Sequence, residues 1–177
     1  MTSRKFFSLF LLCALVPLAA AKLSLAMGWF SHSAVNKGYW LEREIELLPD
    51  ADLHGAAWRL VYIAPENCAQ SCEQALYGLQ QLYTGLGRKQ VNIQPLVIAN
   101  NRPVALGKFS AIVWQSPENN LNKDVTDELH DQIVIVNRDG LALLRYPINS
   151  NAAHMEIVTK DIRTDLLRLL NYDRKGT

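Results

Sequence analysis

The stretch AAWRLVYIAPENCAQSCEQALYGLQQLYTGLG, residues 56–87, holds a strand pattern, a helix pattern and two of the three cysteines of the chain. Its first ten residues have the β-branched and aromatic content of a buried strand, which Pro65 ends. The apolar side chains that follow recur at helical intervals: Ala75, Leu76, Leu79, Leu82 and Tyr83. The stretch therefore predicts a strand–helix unit with Cys68 in its loop and Cys72 in the first turn of the helix.

The remaining elements extend this unit into an α/β fold. They are, in order, a strand at 90–99, a strand at 109–115, a short helix at 122–131, a hairpin at 132–147 and an amphipathic helix from Met155 onward. Residues 34–55 read as a lead-in with a turn near Pro49. Strands that alternate with helices and finish in an antiparallel hairpin predict a mixed sheet covered by helices.

The N-terminus has the pattern of a membrane or export segment. Arg4 and Lys5 precede sixteen uncharged residues, 6–21, and the apolar character continues beyond Lys22. A basic flank before an apolar run is typical of a signal anchor, and small residues near its end also fit a cleavage site. We expect one transmembrane helix in residues 1–30 and an exported domain in 31–177, with a cleaved signal peptide as the alternative.

Composition excludes one class of partner. The 177 residues are 20% charged and carry a formal net charge of +1, and no lysine- or arginine-rich block occurs. Nucleic-acid binders usually show a basic stripe on their surface. We therefore expect no nucleic-acid partner and one globular domain.

The cysteine pair has three possible roles. Outside the cytoplasm it could be a structural disulfide, although a loop of this size gains little from closure. A helix N-terminus stabilises a thiolate, so Cys68 and Cys72 could also exchange disulfides or bind a soft metal. Two thiolates suit Cu(I), with a histidine as a third ligand, whereas closed zinc sites need four donors. The spacing differs from the C-x2-C of general thiol oxidoreductases.

The choice of a third ligand falls on one histidine. The chain has four, at positions 32, 54, 130 and 154. His130 immediately precedes the strand QIVIV, and in a mixed sheet that strand could neighbour the cysteine loop. We expect His130 to be the metal ligand and the other three histidines to have no role in the site.

Two segments carry a resemblance to a known family. ENCAQSC after a strand and LHDQIVIVNRDGLALLRYP at 129–147 resemble the Sco-type copper chaperones of cytochrome c oxidase assembly. The resemblance implies a thioredoxin-like fold, a single membrane anchor, Cys68 and Cys72 as the C-x3-C pair, and His130 as the histidine. The stretch MGWFSHSAVNKGYWLE, residues 27–42, is also similar to a segment of bacterial membrane proteins that are associated with cytochrome oxidase and are distantly Sco-like.

These observations lead to one functional expectation and its alternatives. We expect a single-pass inner-membrane protein with a thioredoxin-like domain in the periplasm, which assists assembly of cytochrome c oxidase. Cys68 and Cys72 would bind Cu(I), with His130, or keep the thiols of a copper site reduced. The expected partners are the oxidase or its assembly factors. The alternatives are a metal-free interaction protein with a structural disulfide, and a thiol-disulfide oxidoreductase, the reading that would make the chain an enzyme.

Overall fold

The structure is a computed structural model that describes residues 3–27, 36–48, 56–68, 70–117, 125 and 128–173. Residues 1–35 and 36–177 form two separate compact units. The first contains helix α1, Ser3–Ala26. Over Phe7–Ser24, α1 is long and apolar enough to cross a membrane, as the basic flank and apolar run predict.

The second unit is built on a mixed sheet that has six strands within the described residues. The strands are β1 (Tyr39–Glu46), β2 (Trp58–Ile63), β3 (Ile93–Ile98), β4 (Val113–Gln115), β5 (Gln132–Val136) and β6 (Leu141–Pro147). Their order across the sheet is β1-β6-β5-β2-β3-β4. The β2–β3 and β3–β4 pairs are parallel, and the β2–β5, β5–β6 and β6–β1 pairs are antiparallel. The predicted mixed sheet with its hairpin is confirmed.

Helices α2 (Gln70–Gly85) and α3 (Ala152–Asp173) share one core with the sheet. They also pack on each other: Gly78 faces Met155 so closely that a Cβ at this position would displace the methionine side chain. Two 3-10 helices, Gly87–Asn92 and Val104–Lys108, follow α2 and β3. A second core on the opposite face of the sheet includes Leu47, Leu48, Val61, Leu129 and Val134.

The first strand of the sheet corrects the sequence prediction. Residues 39–46 form β1, although residues 34–55 read as a lead-in without a strand. β1 lies at an edge of the sheet, and Ile45 is the one buried residue among its eight. Its sequence does alternate, with acidic residues at 42, 44 and 46 and with Leu41 and Ile45 packed in the second core. This period-2 signal is short and is interrupted by Arg43, and the sequence prediction missed it. The turn expected near Pro49 lies outside the described residues.

Two other predictions need refinement. The strand expected at 109–115 is reduced to β4, and the residues before it follow a 3-10 helix. β3 accommodates Pro95 because β4 pairs only with the last three residues of β3, which leaves no partner on that side of the proline. In the short helix expected at 122–131, Val125, Glu128 and Leu129 are helical, and most of its other residues lie outside the described ones.

Candidate functional site

The candidate site lies where the parallel strands end. Ile63 and Ile98 are paired at the last positions of β2 and β3. The Ala64 N–H then donates to the carbonyl oxygen of Ile98 at 2.9 Å, which extends this pairing by one residue. From here the chain passes through an exposed loop to Cys68, and α2 begins at Gln70. The carboxyl ends of parallel strands are the usual position of ligand and reaction sites in α/β sheets.

Cys68 and Cys72 form a disulfide, and their Cα atoms are 5.1 Å apart. Their surroundings differ: Cys68 is exposed, whereas Cys72 is fully buried in the core that α2 shares with the sheet. An external thiol or disulfide therefore has access to the residue at position 68 and not to its partner. This asymmetry is what a pair that reacts through one cysteine and closes through the other requires.

The first turn of α2 provides the electrostatic environment of the pair. Cys72 belongs to this turn, where backbone N–H groups lack helical partners and the helix dipole is positive. Glu73 is in the same turn, and its carboxylate would by itself disfavour a thiolate nearby. The Nζ of Lys108 lies 2.5 Å from Oε1 of Glu73, and this ion pair offsets the negative charge. The turn can thus still stabilise a thiolate.

His130 lies at the same end of the sheet as the cysteine pair, where β2 ends. It is exposed and lies in the turn that leads into β5. The next residue, Asp131, donates its N–H to the carbonyl oxygen of Ile63 at 2.9 Å, and its own carbonyl accepts the N–H of Ile148 at 3.0 Å. These bonds fix the turn against the ends of β2 and β6. The structure places this turn beside the end of β2, the strand that leads to the cysteine loop.

A buried tyrosine forms a hydrogen bond with this turn. The Tyr62 hydroxyl donates to Oδ1 of Asp131 at 3.1 Å. Burial raises the pKa of Tyr62 far above the usual value for tyrosine, and the charge of Asp131 and this hydrogen bond raise it further. The hydroxyl therefore remains a donor, and it holds Asp131 in a left-handed conformation, φ 54°. Sequence reasoning missed both residues, although Asp131 directly follows the histidine that it singled out.

The three expected metal ligands do not form a preassembled site in this disulfide-bonded state. Within the part of the chain that the structure describes, no three His, Cys, Asp or Glu side chains are grouped so that they could hold a metal ion. The ligand of a soft metal is a thiolate, and the sulfurs of Cys68 and Cys72 are bonded to each other. The donor set fits Cu(I) only after reduction of the pair.

The other candidates are placed as follows. His154 lies in the first turn of α3, with its Nε2 3.3 Å from the carbonyl oxygen of Pro147. His32 and His54 lie outside the described residues. Cys13 is an exposed free cysteine on α1, and it needs no role in the site.

Solved structures with similar folds include three Sco proteins. The SCO1/SenC family lipoprotein from Bacillus anthracis str. Ames is 13% identical, with 64% of this chain and 84% of that chain covered and a TM-score of 0.41. The apo Sco1 protein from Thermus thermophilus is 13% identical, with coverages of 76% and 96% and a TM-score of 0.47. BsSco, a member of the Sco family of cytochrome c oxidase assembly proteins, is 17% identical, with coverages of 65% and 83% and a TM-score of 0.37.

Family membership follows from a different comparison. No curated protein is significantly similar to the chain in sequence. Residues 58–173, from the first residue of β2 to the last residue of α3, match the family described as "Transmembrane-like, thioredoxin-like, C-terminal domain". The predicted thioredoxin-like fold is confirmed, and the chain belongs to this family of transmembrane-like, thioredoxin-like C-terminal domains.

Proposed function

We propose that the chain is a membrane-anchored, Sco-like assembly factor for cytochrome c oxidase whose working group is the Cys68–Cys72 pair. The observation that carries the proposal is the pairing of an exposed Cys68 with a fully buried Cys72 at the N-terminus of α2. In this proposal α1 stays in the inner membrane and residues 31–177 lie in the periplasm, where a disulfide is stable.

The pair can reduce a partner disulfide in two balanced steps. The Cys68 thiolate attacks one partner sulfur, which forms a mixed disulfide and releases the other partner sulfur as a thiolate. Cys72 then attacks Cys68, which yields the bond seen in the structure and releases the second partner thiolate. The partner gains two electrons and, on protonation, two protons. A second dithiol must return this chain to its reduced state.

The same pair can carry copper when it is reduced. Two thiolates bind Cu(I), and an imidazole at the same end of the sheet could complete a three-coordinate site. His130 is the candidate, because the Asp131 backbone ties its turn to Ile63, the residue where β2 ends on the way to the cysteine loop. Copper is here a cargo that the oxidase receives, so binding must be reversible. Oxidation of the pair would abolish binding, which couples the copper and thiol reactions.

One observation favours a second candidate. Cys72 is fully buried, and a disulfide between it and Cys68 also fastens the exposed loop to α2. The pair would then be structural, and the chain would be a metal-free interaction protein of the oxidase. The two candidates differ in what the reduced chain binds.

An anaerobic Cu(I) titration of the full chain in detergent, against a competing chelator, tests the proposal. All variants carry Cys13→Ser, because this free cysteine would otherwise add a thiol. We expect a single Cu(I) that is bound by the reduced chain, is lost in Cys68→Ser and Cys72→Ser, and is bound more weakly in His130→Ala. The matched control is His154→Ala, which should bind as the parent does.

Each other result changes the assignment. Binding that is insensitive to His130→Ala would remove the histidine from the site and leave two thiolates. No tight binding by the reduced chain would contradict the copper role. The thiol role then depends on reduction of a partner disulfide, and failure of that reaction as well would leave the structural disulfide.

A further inference from the structure

The start of β1 presents two large aromatic side chains to solvent. Tyr39 is 64% exposed and Trp40 is 51% exposed. The preceding Lys37 is exposed as well, and farther along the strand Glu42 and Glu44 are exposed acids. The apolar area is therefore confined to the end of the strand that comes first in the chain.

The backbone just before this aromatic pair is held by a buried carboxylate. Oδ2 of Asp165 accepts the N–H groups of Lys37 and Gly38 at 2.6 and 2.9 Å, and the hydroxyl of Tyr146 at 2.8 Å. Asp165 is fully buried. Gly38 lies against the ring of Tyr146 so closely that a Cβ there would overlap it. The residues just before Tyr39 are thus fixed to α3 and β6.

The membrane is within reach of this pair. Only nine residues lie between Met27, which directly follows α1, and Lys37. A chain of this length spans at most about 35 Å when fully extended. Aromatic side chains with a polar edge prefer the headgroup level of a bilayer, so a lipid surface is the partner whose chemistry and position both fit.

The sheet places the aromatic pair and the cysteine loop at the same end of its strands. Tyr39 is paired with Arg145, Arg145 with Val134, and Val134 with Val61. Three strand spacings of about 4.8 Å put the Tyr39 backbone roughly 14 Å from that of Val61. β1 begins at this end of the sheet. β2 ends here as well, two residues after Val61, and the chain then continues to Cys68.

We propose that Tyr39 and Trp40 dock into the lipid headgroup layer and thereby turn the end of the sheet that carries Cys68 and His130 toward the membrane surface. The inference rests on the membrane anchoring in the proposed function. It deepens that function, because partner cysteines or copper ligands would then have to lie close to the bilayer. Asp165 acts as the positioning residue that keeps the aromatic pair in a fixed relation to the sheet.

Oxidative footprinting of the unmodified full chain in phosphatidylcholine nanodiscs tests this inference. Tyr77 on α2 is the internal control, because at 58% it is nearly as exposed as Tyr39. We expect hydroxyl radicals to modify Tyr39 and Trp40 several-fold more slowly than Tyr77. Equal rates for Tyr39 and Tyr77 would overturn the proposal.

Lipid quenching then separates a lipid contact from contact with a second protein copy. Two full-chain variants retain a single tryptophan, Trp40 or Trp58, with phenylalanine at the other three positions. Trp58 is the first residue of β2, at the end of the sheet away from the cysteine loop. With spin-labelled headgroups, Trp40 emission should fall at least about twofold more than that of Trp58, because interfacial rings lie at headgroup level. Protection of Tyr39 without quenching of Trp40 would indicate a protein contact and overturn the lipid proposal.

The docking and the thiol chemistry can fail independently. Tyr39→Ser with Trp40→Ser removes the docking side chains and should leave the Cu(I) stoichiometry in detergent unchanged. Cys68→Ser should abolish Cu(I) binding while leaving the protection unchanged. Loss of protection in Cys68→Ser would contradict docking through the aromatic pair.

Discussion

β2 and β1 belong to the same sheet and are stabilised in different ways. All six residues of β2 are buried, including Arg59, and the strand pairs on both sides. Ile45 is the one buried residue of β1, which within the described residues pairs on one side only and is fixed near its start by Asp165. The strand that leads to the cysteine pair is thus held by packing on both faces, whereas β1 depends on its pairing with β6, on Ile45 and on the Asp165 contacts. The protein combines a rigid support for chemistry with an exposed edge available for contact.

The largest difference between the two regions should appear in core truncation. Leu76 of α2 is fully buried against β2, so Leu76→Ala should lower the free energy of unfolding by about 2–5 kcal/mol. Tyr39→Ala in β1 should cost less than about 1 kcal/mol, because the ring is mostly exposed. Denaturant unfolding of the full chain in detergent measures both. Similar losses would show that the two strands are held alike.

Removal of the carboxylate that fixes β1 should cost nearly as much as a core truncation. Asp165→Ala leaves the N–H groups of Lys37 and Gly38 and the hydroxyl of Tyr146 without their acceptor, so we expect a loss on the order of 3 kcal/mol. Glu156→Ala on the exposed side of α3 is the control and should change stability by less than about 0.5 kcal/mol. Amide exchange should increase in β1 and not in β2; exchange that is uniform across the sheet would contradict a local role.

The β5–β6 turn offers a test of the contact that continues β1. Gly140 has φ +83°, and its carbonyl accepts the N–H groups of Leu47 and Leu48. Gly140→Ala would strain this conformation and overlap the Leu48 carbonyl, so we expect a loss of about 2 kcal/mol or more. Gly107→Ala meets no neighbour and should stay within about 0.5 kcal/mol of the parent. Thermal unfolding of the two variants provides the comparison, and equal midpoints would rule out the strain.

Two buried tyrosines, Tyr62 in β2 and Tyr146 beside the start of β1, each donate a hydrogen bond to an aspartate. They predict that the free energy of unfolding decreases at alkaline pH. Burial raises the pKa of Tyr62 and of Tyr146 far above the ordinary tyrosine value of 10.0. An unfolded tyrosine loses its proton above pH 10 while the folded one keeps it, so stability is complete below this pH and falls above it. We expect each tyrosine to contribute a loss of about 1.4 kcal/mol per pH unit above 10. Tyr62→Phe and Tyr146→Phe should each make the fall between pH 10 and 11 shallower; an unchanged slope would contradict the assignment.

The buried strands and helices could be predicted from the sequence, whereas the exposed edge strand β1 was not. β2 and α2 are recognisable because burial requires apolar residues at fixed intervals, and the hairpin because its turn needs Gly140. β1 was missed because its alternation of apolar and acidic residues is short and Arg43 interrupts the apolar face. The contact of Lys37 with Asp165 joins residues 128 positions apart, and no local signal marks it. The choice of His130 rests on its position before β5 and stays a prediction, whereas its support by Tyr62 could be seen only in the fold.

We propose that Cys68 and Cys72 react as a pair with one accessible member. A direct test incubates the oxidised Cys13→Ser chain with glutathione under native conditions and identifies the mixed disulfide by mass spectrometry. We expect glutathione to attach to Cys68, because Cys68 is exposed and Cys72 is fully buried. Attachment to Cys72, or no reaction until denaturant is added, would contradict it and favour a structural disulfide.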